Sequence, residues 1–289
     1  MANARAVATQ YQAAYCTTDY EEILEDDQVE LVMITTRHDL HGQMALQALH
    51  AGKHVFVEKP LTLKENELAE IERFCAKNLD GPLLMVGFNR RFVPAMQAIR
   101  QILEQRTTPI IANYCMNAGF IPPDHWGHGA EGGGRNLGEA CHIYDLFNSL
   151  CSGAKAIAVN AYSIDPLSQQ WHKNDNFVAI IKYAEGSVCT LTYTALGATS
   201  YPKETMEVFA DGKVIVMHDY KTVQVHGGKH CVAHCVEAVR QASTLPVTVK
   251  HRPAAPHWCL HQKLCAASGR GGAADGGALR HRRSDSPGQ

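Results

Sequence analysis

Between residues 29 and 92 the chain alternates short apolar runs with helical spacing. Val29-Glu30-Leu31-Val32-Met33-Ile34-Thr35-Thr36, His54-Val55-Phe56-Val57 and Pro82 to Phe88 have the length and β-branched content of buried strands. Between the first two, Met44, Ala45, Leu46, Ala48 and Leu49 recur at helical spacing, and Gly52 stands where a helix ends. Lys64 to Lys77 is helical again. Strand, helix and strand in this order predict a βαβ unit with parallel strands. Each strand delivers polar residues to the same edge: Thr35/Thr36, Glu58/Lys59 and Asn89/Arg90. In open α/β sheets that edge is where ligands bind. Pro60 turns the chain out of the sheet, because it lacks the N–H a ladder needs.

The flanking pattern predicts the rest. Residues 2–14 are the end of a helix, and Asp19 to Leu24 a second short one, capped by Thr17 or Thr18 with Glu21 or Glu22 behind it. Pro94 opens a helix with Met96, Ile99, Ile102 and Leu103 on one face, and Pro109 to Met116 is a strand. Asn117 to Gly134 is a loop rich in Pro and Gly that carries His125, Trp126 and His128. It fits a substrate-facing lid and a plain connector equally. Leu137 to Leu150 is a helix that puts His142 and Asp145 on one face. Lys155–Ile164, Asn176–Tyr183, Val188–Leu196, Lys203–Ala210 and Lys213–Met217 alternate as strands, with turns at Glu185-Gly186 and Asp211-Gly212. An antiparallel sheet of this kind packs one face on helices and leaves the other open, which favours a homo-oligomer. His230 to Ala242 reads as the last helix. Residues 251–289 contain no Ile, Val, Phe, Met or Tyr and are expected to be a disordered tail, most simply through a frameshift.

At this point a resemblance enters. Thr36-Arg37-His38-Asp39-Leu40-His41, Ala51 to Pro60 and Gly87-Phe88-Asn89-Arg90-Arg91-Phe92 resemble the glucose–fructose oxidoreductase / inositol dehydrogenase (Gfo/Idh/MocA) family over roughly Ala4 to Lys250. The resemblance implies an α/β fold: residues 1–92 an incomplete dinucleotide-binding (Rossmann) domain with a parallel sheet, and 93–250 a substrate and oligomerisation α/β domain. The second domain is built on an open-faced, mainly antiparallel sheet. The implied activity is hydride transfer between NAD or NADP and a secondary alcohol of a sugar, polyol or sugar nucleotide. The implied catalytic residues are Lys59 and His142, with Asp145 orienting the histidine. Implied cofactor contacts are Thr36, His38, His41, Glu58, Lys59, Asn89 and Arg90. Some members similar to this chain through Cys141-His142 sit behind an alcohol-dehydrogenase-like domain.

Two departures from the family pattern stand out. The acid usually found four residues before the histidine is replaced by Gly138, with Glu139 beside it. The Gly-rich turn that cradles the pyrophosphate is expected before Met1, so the 289 residues alone are expected to bind dinucleotides weakly. A non-catalytic remnant or scaffold is therefore the alternative to an active enzyme.

Elementary chemistry agrees with the catalytic assignment. Oxidising an alcohol needs a group that steadies the developing alkoxide and one that takes its proton, and lysine and histidine suit these tasks. Glu58 could instead form an ion pair with Arg90 or Arg91. A net charge of −2 gives no footprint for nucleic acid or membrane. The ten cysteines read as free thiols of a cytoplasmic protein, and the start shows no apolar leader. His38/His41 and His230/His234 have spacings that zinc sites use, but no Cys-x-x-Cys or H-E-x-x-H accompanies them, so no metal is expected.

Overall fold

The computed structural model describes residues 2–168, 170–227 and 233–235. After two helices, α1 (Ala2–Tyr11) and α2 (Tyr20–Glu25), the chain enters a three-stranded sheet. Its strands are β1 (Leu31–Ile34), β2 (His54–Val57) and β3 (Leu84–Val86), all parallel and in the order β1-β2-β3. The crossovers are α3 (His38–His50) and α4 (Glu65–Lys77). Period-2 alternation decides which face is covered: Val32, Ile34, Val55 and Val57 are buried with Ala45, Ala48, Leu49 and Ile71. The opposite face shows Leu31, Met33 and Met85 to solvent among the described residues.

α5 (Pro94–Leu103) starts on a proline, whose fixed φ and missing N–H suit a first helical position. It leads to β4 (Ile111–Asn117), then to α6 (Cys141–Leu150), β5 (Ala156–Ser163), β6 (Asn176–Tyr183), β7 (Val188–Thr194), β8 (Glu204–Ala210), β9 (Lys213–His218), β10 (Thr222–His226) and β11 (Ala233–Cys235). These strands form one sheet in the order β11-β10-β9-β8-β4-β7-β6-β5, antiparallel throughout except for the parallel pair β4–β7. α6 covers one face: Ile143, Tyr144, Leu146 and Phe147 bury with Tyr114, Tyr183, Leu191 and Tyr193 in the central cluster. The other face leaves Ile111, Val178, Ile180 and Phe209 partly exposed.

Four local expectations are corrected. The short second helix is capped by Asp19, whose carboxylate accepts from the Glu21 N–H at 3.0 Å, while Thr17 instead accepts from the Asp19 N–H. The helix before α6 does not run smoothly from Leu137, because Asn136–Ala140 form a π-helical turn. β10 was not expected. Ala233–Cys235 is a strand rather than helix, since β10 offers its edge and pairs antiparallel with it. His234 therefore stands in a strand, and His230 lies outside the described residues. The rest of 230–242, and the tail 251–289, lie outside the described residues.

Candidate active site

β2 delivers Glu58 and Lys59 to the carboxyl edge of the first sheet, and a cis Lys59–Pro60 bond follows. Lys59 Nζ donates to the carbonyl oxygen of Gly138 at 2.7 Å. That carbonyl belongs to the π-helical turn, a form that recurs at functional sites. One turn later stands His142, 8 % exposed, against the edge of the Phe88 ring. Burial and the charges of Arg90 and Lys59 push its pKa down to about 3, against a smaller opposite pull from Asp145 and Glu139. Its Nδ1 has no hydrogen-bond partner among the described residues.

The acids around this pair also have cationic partners of their own. Asp145 takes a two-pronged contact from Arg91, with Nε to Oδ2 at 2.6 Å and Nη2 to Oδ1. Arg90 Nη2 donates to Glu204 Oε1 at 2.7 Å, and Tyr114 donates to the other oxygen of that carboxylate. The two arginines therefore do not pair with Glu58. The Glu58 carboxylate lies over Gly87 instead, where a Cβ would stand 3.2 Å from its Oε2. Glu139 faces the second sheet, where Arg135 (2.9 Å), Tyr193 (2.5 Å) and Lys203 (3.3 Å) hold it. Burial pushes the Glu139 carboxyl up, but these partners outweigh it and bring the pKa down to about 2.

The predicted cofactor contacts divide into two groups. Thr36 and Asn89 are exposed and Glu58, Lys59 and Arg90 half-buried, each following the end of a strand. His41 is fully buried, with Nδ1 2.7 Å from the Pro60 carbonyl and Nε2 3.1 Å from that of Thr36. His38 turns to the loop after β4: its Nδ1 is 2.9 Å from the Gly132 carbonyl, and its ring packs edge-to-face with Trp126 at 5.0 Å between centroids. Burial lowers its pKa. The same loop is fastened by the Asp39 N–H to the Glu131 carbonyl (3.2 Å), by Arg37 to Glu131 (3.5 Å) and by Arg37 stacked 4.1 Å over Trp126. Its base is held by Arg135, which donates to the carbonyls of Gly119 (2.6 Å) and Ala118 (3.0 Å). The loop folds so tightly that a Cβ on Gly132 would stand 2.4 Å from the Cα of Gly127.

The sequence singles out Trp126 with its loop, but not Arg37, Glu131 and Arg135, which hold that loop. For Arg135 one signal was available, its i,i+4 spacing to Glu139. For the clasp on Trp126 there was none, because it joins residues distant in the chain.

A parallel sheet with ligand-ready strand ends, joined to an open-faced sheet through a lysine and a histidine, defines a two-domain α/β oxidoreductase. Residues 1–88 match the model described as "Oxidoreductase family, NAD-binding Rossmann fold", and residues 101–242 match "Oxidoreductase family, C-terminal alpha/beta domain". The chain belongs to the Gfo/Idh/MocA oxidoreductase family. It is 29% identical over 263 residues to an uncharacterized oxidoreductase of Synechocystis sp., covering 85% of this chain and 70% of that one. It is 28% identical over 190 residues to scyllo-inositol 2-dehydrogenase (NAD(+)) of Bacillus subtilis, covering 64% of this chain and 54% of the enzyme. The match therefore spans little more than half of the latter's length. A levoglucosan dehydrogenase solved with NADH and levoglucosan shares the fold, with a TM-score of 0.68 at 20% identity over 92% of this chain and 78% of that one.

A hydroxyl (Thr36), a carboxylate (Glu58), an ammonium (Lys59) and an amide (Asn89) follow the ends of the three strands. The described turns that lead from a strand into a helix of the first sheet, residues 35–37 and 58–64, contain no glycine to cradle a pyrophosphate. No helix among the described residues is long and apolar enough to cross a membrane, and no group of metal-ligating side chains is present among them.

Proposed function

We propose that this chain transfers hydride between NAD or NADP and a secondary alcohol of a sugar or polyol, with Lys59 and His142 as its catalytic residues. The observation that carries the reading is the position of Lys59, held from β2 to the Gly138 carbonyl and one helical turn from His142. A bound nicotinamide supplies the hydride acceptor. Thr36, Glu58, Asn89 and Arg90 would hold its end of the cofactor. His41 acts indirectly, packed between the Thr36 and Pro60 carbonyls and donating to one of them, and His38 by fixing the loop.

The Lys59 ammonium aims a proton and a full charge at the substrate oxygen, favouring the alkoxide as the C–H bond breaks. His142 is neutral at pH 7 and can take the hydroxyl proton. Asp145 contributes through Arg91, which anchors α6 to the segment after β3. No acid stands at position 138, and Glu139 faces away, so the relay runs through Lys59 and His142 alone. The clasped loop 117–134 excludes water from the pair. A second copy of the chain would cover the open face of the large sheet.

The experiment is a spectrophotometric assay at millimolar NAD+ or NADP+ against scyllo-inositol, myo-inositol, levoglucosan and glucose. Relatives act on the first of these or are solved with the third. Reduction of the cofactor by at least one polyol or sugar is expected. Its absence across the panel with both cofactors would overturn the reading.

A further inference from the structure

We propose that a cavity between α5 and the C-terminal end of α6 binds a small oxyanion. The cavity has a volume of about 370 Å³ and is bordered by Arg91, Arg100, Glu104, Asn148, Ser149 and Ser152. Apart from Arg91, which anchors α6 through Asp145, no residue of the proposed catalytic and cofactor site lines it.

The first observation is an unanswered donor. Asn148 is 3 % exposed; its Oδ1 accepts from the Tyr183 hydroxyl at 2.8 Å, but its Nδ2 has no partner among the described residues. Leaving a buried amide donor unmade costs on the order of 1–3 kcal/mol. Asn148 borders the cavity, and an acceptor that reaches its Nδ2 there would satisfy it.

The second observation is charge. Two guanidinium groups border the cavity against one carboxylate, Glu104. Arg91 spends its Nε and Nη2 on Asp145, whereas no carboxylate pairs with Arg100 among the described residues. The two serine hydroxyls add rotatable donors. A planar guanidinium with nearby hydroxyl and amide donors is the chemistry that recognises carboxylate and phosphate.

The third observation removes an objection. The C-terminal end of a helix repels anions through its unpaired carbonyls. Here those of Phe147, Asn148 and Ser149 already accept from the N–H groups of Cys151 (2.9 Å), Gly153 (2.8 Å) and Ser152 (3.3 Å). The negative end of α6 is thus closed by its own chain, and the side-chain donors set the character of the cavity.

Phosphate and carboxylate share this chemistry, and two probes separate them. Thermal unfolding of the full chain is followed against sodium phosphate and, separately, sodium acetate, with ionic strength held constant by NaCl. A saturable rise in Tm with one of these is expected, and that probe names the group. The exposed Arg100 can be changed without touching the core, and Arg100→Gln is expected to weaken the response at least tenfold. Ser149→Ala is expected to weaken it less. A response that does not saturate with either anion, or that is equal in Arg100→Gln, would overturn the proposal.

Discussion

Lys59 and Gly138 are 79 residues apart, yet the Lys59 ammonium donates to the Gly138 carbonyl at 2.7 Å. The bond joins the end of a strand in the first sheet to a π-helical turn that leads into the helix covering the second. It fixes the lysine beside His142 with no carboxylate paired to it among the described residues. Gly138 serves this arrangement twice, because a Cβ there would also lie 3.1 Å from His38 Cε1.

That spacing predicts a measurable strain. Gly138→Ala should destabilise the protein by about 1 kcal/mol, since the histidine ring must give way in a packed contact. His38→Ala in the same background should recover part of the loss, as expected of side chains that touch. Chemical denaturation of the two single variants and the double variant checks this; strictly additive losses would contradict it.

His142 sets a pH signature. Its pKa in the folded protein, about 3, lies below the value near 6.5 expected when unfolded, so the unfolded chain binds the extra proton first. The stability it contributes is fully present above about pH 6.5 and is lost as the pH falls toward 3. NMR should show no titration of the His142 ring between pH 5 and 8. A midpoint near 6.5 would show that burial, Arg90 and Lys59 do not act on it as described. Glu139, brought down to about 2, contributes in the same sense over a lower window, from about pH 4.5 downward.

The open face of the large sheet makes a third prediction. Tyr162 pairs with Val178 and Asn160 with Ile180, so the side chains of the last two project from one face, where they are 39 % and 45 % exposed. If a second copy covers this face, Ile180→Glu should shift the protein toward monomer in light scattering at unchanged secondary structure. The same mass for both proteins would contradict it.

Much of the fold was legible because it rests on period. Val32 and Ile34, and Val55 and Val57, alternate inward as strand spacing requires, and Met96 and Ile99 keep a helical stripe. Lys59 was legible because Pro60 marks the strand end. What escaped depended on partners distant in sequence. Nothing near Asp145 announces Arg91, and nothing near His38 announces Trp126 and Gly132. Ala233–Cys235 looked helical from its own spacing, but the free edge of β10 decides its form. Local propensity gives way where a ladder of backbone hydrogen bonds is on offer. The π-helical turn left no mark in the apolar pattern, because it spans only the five residues Asn136–Ala140, too few to show a change of period.

One comparison bears most directly on the role of Lys59. Steady-state turnover is measured at saturating cofactor, on the best substrate of the panel, for the parent chain, Lys59→Met and His142→Ala. Both variants should lose about 10²- to 10⁴-fold in kcat, as loss of a positioned acid–base group does. Their melting temperatures should stay close to that of the parent. Turnover within a few-fold of the parent in Lys59→Met would contradict the central claim that the lysine held at the Gly138 carbonyl carries the chemistry.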